Sequence, residues 1–232
     1  MGESKDRRED MISDDARVDL WRSQIEQIRL DLTDMNHHRD AMRRIVDVWN
    51  SNPRLLTHPG RTIVLDRWRM YFGFWLCVKL RRDTDRDKRS VSLLNIVSEV
   101  AEHAATVTDA QIRRLWNDPT GWYTRKTYPR FATPCGEHID PAIPAADARQ
   151  LATVSDSLRL FVNKALVHRE QEPPVKAPTF DEIETIAHTY EEIAKRYILL
   201  LTGAAFRFEV VEQYDWIDIF DFAWRSPGTN YE

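Results

Sequence analysis

Two apolar stripes, one on each side of a proline pair, constrain this chain more than any other feature. Leu151, Val154, Leu158, Phe161 and Ala165 recur in alternating steps of three and four, the spacing that puts side chains on one face of an α-helix. His168 takes the next place in that stripe. Pro173 and Pro174 then stop the helix, because proline lacks the amide hydrogen and its ring clashes with the preceding turn. Thr179 and Glu182 stand in capping-box spacing. Ile183, Ile186, Tyr190, Ile193, Tyr197 and Leu200 continue a second helix at the same rhythm, and Gly203 suits its C-terminal cap. The pair predicts a long antiparallel C-terminal helical hairpin in an all-α fold.

The rest of the chain has helical patterns of the same kind. Residues 1–14 are charged and aperiodic and read as a disordered leader. From Val18 a long helix follows on Trp21, Ile25, Ile28, Leu32, Met35, Met42, Val46 and Trp49, with only Arg39 interrupting its stripe. Residues 61–82 are apolar almost all round, which predicts a helix at the centre of a bundle. Arg81, Arg82, Asp83, Asp85 and Asp87 then crowd what reads as a solvated turn, before helices over Ser90–Ala104 and from Thr108–Asp109. Residues 117–146 hold five prolines and two glycines and are predicted to be an irregular insert in a domain running from 15 to 203. The end, 204–232, is both aromatic and acidic: two basic and six acidic side chains lie among Phe206, Phe208, Tyr214, Trp216, Phe220, Phe222 and Trp224.

Charge and cysteine usage narrow the functional classes. The net charge of −4 argues against a general polyanion binder, although residues 61–89 carry nine basic against four acidic groups. Two cysteines, Cys77 and Cys135, make no disulfide framework, and with no signal peptide the expected compartment is the cytoplasm. The apolar run from Tyr71 to Val78 is far shorter than the ~20 residues that span a bilayer, so no membrane association is expected. Cys135 and His138 have ligand-like spacing, but two residues do not make a zinc site. No metal or other cofactor is expected.

The stretch "SLRLFVNKALVHRE" followed by "TFDEIETIAHTYEEIAKRYILLL" resembles the C-terminal half of HEPN domains (higher eukaryote and prokaryote nucleotide-binding), in particular the abortive-infection AbiU-type branch. Upstream, "WLCVKLRRDTDRDKRSVSLLNIVSEV" is similar to that branch's core helix, aspartate-containing turn and following helix. The resemblance implies a HEPN-like helical bundle over roughly residues 20–203. It also implies a homodimer in which two such segments face each other, an RNA target, and a role in phage defence or beside a cognate antitoxin. Many members are metal-independent RNases that use an arginine a few residues before a histidine. The matching residues here are Asn163, Lys164 and His168. Val162 stands at the arginine's place, and the nearest arginines are Arg159 and Arg169.

Metal-free RNA cleavage needs a base for the 2′-hydroxyl proton and a cation for charge developing on phosphate. His168, with an ordinary pKa near about 6.5, suits the first role. Lys164, one helical turn earlier, suits the second, with Arg169 or Arg159 as alternatives, and Asn163 is placed to orient a ligand. Three readings stand: a ribonuclease effector, an inactive dimer that binds RNA, a nucleotide or a partner protein, and a purely structural interaction protein. The insert adds "GWYTRKTYPRF", in which Trp122, Tyr123, Tyr128 and Phe131 alternate with Arg125, Lys126 and Arg130. Rings beside cations are what unpaired RNA requires. Equally, the rings can anchor the loop to the bundle while the cations stay solvated.

Overall fold

The computed structural model describes residues 13–53, 60–167 and 176–207. The expected disordered leader therefore lies, but for Ser13 and Asp14, outside the described residues, as do His168, Arg169 and nearly all of the acidic tail. Among the described residues the chain is helical, with no strand: α1 (Asp14–Ser51), α2 (Arg61–Asp83), α3 (Leu93–Glu102), α4 (Asp109–Leu115), α5 (Thr124–Thr127), α6 (Ala142–Phe161) and α7 (Phe180–Thr202). Contacts divide it into two units. One holds the described residues up to Leu32 and from Leu76 to Phe206, and the other holds Thr33–Trp75 and Arg207.

In the first unit the periodic stripes form the core. Trp21, Ile25, Ile28 and Leu32 of α1 are fully buried, and so are, to within a few per cent, the six stripe residues of α7 from Ile183 to Leu200. Helix α7 starts at a complete capping box, in which Thr179 Oγ1 accepts from the Glu182 amide and the Glu182 carboxylate accepts from the Thr179 amide. The opposite ends of α6 and α7 meet. Asp147 in the second turn of α6 accepts hydrogen bonds from Arg196 and, at 2.9 Å, from the Tyr197 hydroxyl near the end of α7. Helix α6 also packs on α3, and α7 on α4.

The remaining links run through polar groups. Trp21 Nε1 donates to Glu99 at 2.8 Å, and Arg114 of α4 reaches Asp19 of α1 at 3.0 Å. Asp83 is only 1% exposed, so the turn after α2 is not simply solvated as its charge suggests. Asp31 Oδ1 takes both Lys79 Nζ at 2.6 Å and Arg82 Nη2 at 2.8 Å, while Arg82 Nε donates to Asp83 Oδ1 at 3.1 Å. Beside them lies Tyr190, fully enclosed. Its hydroxyl and Asp83 Oδ2 are buried without another hydrogen-bond partner. Burial first, and the Asp83 carboxylate second, hold the Tyr190 phenol well above its ordinary pKa.

The second unit pairs the later part of α1 with the earlier part of α2. His38 stacks on Trp75 at 4.4 Å, and Trp49 tilts against Trp68 at 6.4 Å. Here one expectation fails. Helix α2 is not at the centre of a bundle, because Ile63, Val64, Trp68, Tyr71, Phe74 and Val78 are all exposed. An all-round apolar sequence fixes which residues seek cover without fixing what covers them.

The C-terminus of α7 shows a closer fit. Gly203 takes the left-handed conformation, φ 72°, and a Cβ there would stand 2.7 Å from Trp116 Cγ. Trp116 Nε1 donates to the Leu200 carbonyl at 3.0 Å, which satisfies one of the carbonyls a helix end leaves open. Gly203→Ala is expected to cost ~1–2 kcal/mol for the left-handed backbone, with the ring displacement adding to it. In a urea-denaturation cycle with Trp116→Ala, the double variant should lose less than the sum of the two single losses. Strict additivity would show that the ring contact contributes nothing.

Candidate functional site

The residues singled out by the sequence fall in two places. The first is the end of α6. There the backbone leaves α geometry and closes as a π-helix over Val162–Val167, a distortion found mostly as single turns and often at functional sites. Val162 is 2% exposed and Phe161 5%, so the position at which the resemblance would put an arginine faces the protein interior. Asn163 and Lys164 are half-buried. Arg159, three residues before Val162, reaches Asp156 at 3.4 Å through Nη2, and its Nε is buried without a partner. The imidazole and the second arginine of the predicted set lie outside the described residues, so Asn163, Lys164 and Arg159 are the part of it that the structure places.

The second place is the insert, which is more regular than its composition suggests. It carries α5 and a turn of 3-10 helix over Tyr128–Arg130, and α6 begins at Ala142 with Pro144 in its first turn, not after residue 146. A proline there costs little, since its missing N–H has no partner in a first turn anyway. Tyr128 is 3% exposed and its hydroxyl donates to the Val107 carbonyl at 2.8 Å. Burial raises its pKa to about 12. Phe131 and Ile139 are buried as well. Tyr128 therefore presents no ring face to a base, and with Phe131 it anchors the loop.

Trp122 and Tyr123 do the opposite. They are 51% and 64% exposed, and their rings meet edge to face at 4.6 Å. Lys126 Nζ lies 3.8 Å above the centre of the Trp122 ring. Arg130 is exposed. Arg125, also exposed, is committed to its own turn, with Nε donating to the Gly121 carbonyl at 3.0 Å and Nη2 to the Thr120 carbonyl at 3.0 Å. Gly121 has φ 67°, the left-handed region that favours glycine, and a Cβ on it would lie 2.7 Å from the Arg113 guanidinium carbon and displace the end of that side chain.

One residue that sequence reasoning missed holds this arrangement. The Asp118 carboxylate accepts from the amides of Trp122, Tyr123 and Thr124 at 3.2, 2.9 and 3.0 Å and from the hydroxyls of Thr120 and Thr124 at 3.1 and 3.0 Å. The signal is present as Asp118-Pro119-Thr120-Gly121, an aspartate ahead of a turn whose own amides it can bond. The bonds, the Thr124 amide foremost, lower the Asp118 pKa to about 2.

Beside α5 an open cavity of about 570 Å³ is lined by Arg113, Arg125, Tyr128, Thr133, Cys135 and Asp140, among others. Its charges are already engaged: Arg113 pairs with Asp109 at 2.6 Å, and Asp140 accepts from the Ala142 amide at 2.9 Å. Among the described residues no group of three His, Cys, Asp or Glu side chains is placed to hold a metal ion. None of the described helices is long and apolar enough to cross a membrane. No protein-family model, curated protein or solved structure matches the chain.

Both places can be probed through stability. Val162→Arg would bury a cation without a partner and should lower stability by about 3 kcal/mol or more, read as a shift in the urea midpoint. An unshifted midpoint would mean that this position opens easily to solvent. Asp118 has a folded pKa below the ordinary carboxylate value, so its contribution is whole above about pH 4 and is lost as pH falls towards about 2. The gap in thermal midpoint between wild type and Asp118→Ala should therefore be constant from neutrality to about pH 4 and close below it. A gap that persists at the acid end would mean that the charge of Asp118 does not support the fold.

Proposed function

We propose that the chain is an RNA-targeting protein of the HEPN kind, a helical bundle with an antiparallel C-terminal hairpin, that grips unpaired RNA through Trp122, Tyr123 and Lys126. The observation that carries this reading is the exposed pair of rings with an ammonium seated on one of them. Bases stack on such rings whatever their sequence, and the cation that leaves the ring is free to meet a phosphate. Arg130, exposed in the turn that follows α5, adds a second cation. Arg125 shapes the turn in this reading and Tyr128 anchors it.

Cleavage is the second reading, and the π-helical end of α6 favours it. His168 acts as the base for the 2′-hydroxyl and Lys164 as the cation at the phosphate, with Asn163 orienting the strand and Arg159 or Arg169 in reserve. The site is composite if two copies bring these segments together, as the resemblance implies. Loss of the arginine at Val162 leaves binding without turnover as the alternative, in which the same grip serves a cognate antitoxin or a bound RNA.

A labelled single-stranded RNA tests the grip by fluorescence polarisation. Trp122→Ala and Tyr123→Ala should each weaken binding by ~1–3 kcal/mol, roughly five- to hundredfold. Lys126→Ala should reduce the slope of log affinity against log salt by about 0.7. No affinity for RNA at low salt, in a folded protein, would end the proposal. For cleavage, His168→Ala should slow chelator-resistant RNA degradation by roughly a hundred- to ten-thousand-fold, and Lys164→Ala should slow it less. Wild-type protein that binds RNA and leaves it intact would select the binding reading.

A further inference from the structure

Trp122 and Tyr123 are neighbours in the sequence, and Tyr123 already has helical backbone angles, φ −72° and ψ −43°, where the chain enters α5. Successive side chains on a helical turn leave its axis about 100° apart, so adjacent rings start out crossed, whereas rings four residues apart start out on one face. Here the two planes stand at 88° with their centres 4.6 Å apart, an edge-to-face contact of the kind that rings favour. The backbone beneath them is pinned. Asp118 holds the amides of Trp122, Tyr123 and Thr124 at 3.2, 2.9 and 3.0 Å, and Thr124 is itself buried. Arg125, a planar group that could stack a base in another orientation, is committed to the Gly121 and Thr120 carbonyls.

We infer that this crossed pair selects RNA whose neighbouring bases are unstacked, and so takes weakly stacking, uridine-rich strands in preference to adenine-rich ones. The inference rests on the RNA reading above and adds to it the kind of strand that fits. In a stacked strand adjacent bases lie parallel, whereas bases lying flat on Trp122 and Tyr123 stand at right angles to one another. The step between two such bases must therefore be opened before both rings can be filled. Adenines stack strongly on each other and uridines hardly at all, so the cost of opening falls on the adenine-rich strand. Preference among single strands then arises from stacking strength and backbone flexibility, with no base edge read by hydrogen bonds. A pair of parallel rings would make no such demand, because two parallel bases could meet it without leaving their stack.

The test compares labelled oligouridylate and oligoadenylate of equal length on the full-length protein at one salt concentration. Oligouridylate should bind more tightly by roughly three- to tenfold, the fold-change that corresponds to one ordinary stacking step. Oligoadenylate in which a propanediol spacer replaces every second nucleoside cannot stack on its neighbours, and it should bind more tightly than the unbroken strand. Tyr123→Ala should bring the two affinities together, since a single ring asks for no turn between bases, and Tyr123→Phe should keep them apart. The side chain is exposed, so both variants leave the turn intact. Lys126→Ala should weaken both strands and preserve their ratio, because a cation meets phosphate whatever the stacking. Equal affinities in the wild type, a preference for adenine, a spacer that brings no gain, or a ratio lost with Lys126 instead of with Tyr123 would each overturn the inference and leave the RNA reading standing. Absence of binding to either strand at low salt would overturn both.

Discussion

The first unit depends on a small set of charges that would be ruinous if left alone. Asp31, Lys79, Arg82 and Asp83 bring two negative and two positive groups together where α1, α2 and the turn after it meet, with the Tyr190 phenol from α7 against them. Charges in such a place are tolerated only when paired, and the loss of one partner costs more than the pair contributed. Lys79 and Arg82 stand three residues apart and converge on a single oxygen of Asp31. That convergence sets the rotation of α2 about its own axis relative to α1 more sharply than leucine or isoleucine contacts do, because a slip of one residue moves both cations off the carboxylate together. Apolar packing supplies the larger share of the stabilisation. The charges decide which of several apolar packings is adopted.

This division explains how much of the fold was legible in the sequence. Periodicity gave the buried faces of α7 and of α1 as far as Met42, because a stripe that alternates threes and fours has only one way to turn inward, whereas Val46 and Trp49 at the end of the α1 stripe are only half-buried. Local chemistry gave the capping box at Thr179 and the cap at Gly203, since those bonds close within a few residues. Helix α2 was misjudged for the converse reason. Its apolar character is legible in the chain, whereas which of its residues stay exposed is set by packing that periodicity does not specify. Asp83 was misjudged because a carboxylate in a charged turn looks solvated until the helices around it are in place. The π-helix at Val162–Val167 has no periodic signature at all. It also qualifies the count that puts His168 on the stripe: that count assumes an unbroken α period, and each residue added to a turn rotates all later positions by about 100°.

In the proposed reading the two candidate places take different parts. The end of α6 holds Asn163 and Lys164, both half-buried, on a π-helical turn. The insert exposes two rings and an ammonium on a frame fixed by Tyr128, Phe131 and Asp118. The insert is also the part in which neither helical periodicity nor resemblance to a family helped. Its logic became legible only when five hydrogen bonds were seen to converge on one carboxylate.

That carboxylate has a further consequence. Consecutive amides turned towards one point form a receptor for anions, the kind of hollow that in other loops receives a phosphate. In this protein the amides of Trp122, Tyr123 and Thr124 form such a hollow, and Asp118 already fills it. The loop is thus permanently loaded with an internal mimic of the group that its rings and cations would draw near. Those three amides have nothing left to offer a phosphate, and recognition in the proposed reading rests with flexible side chains. Contacts of that kind read the shape and charge of a strand but not the order of its bases.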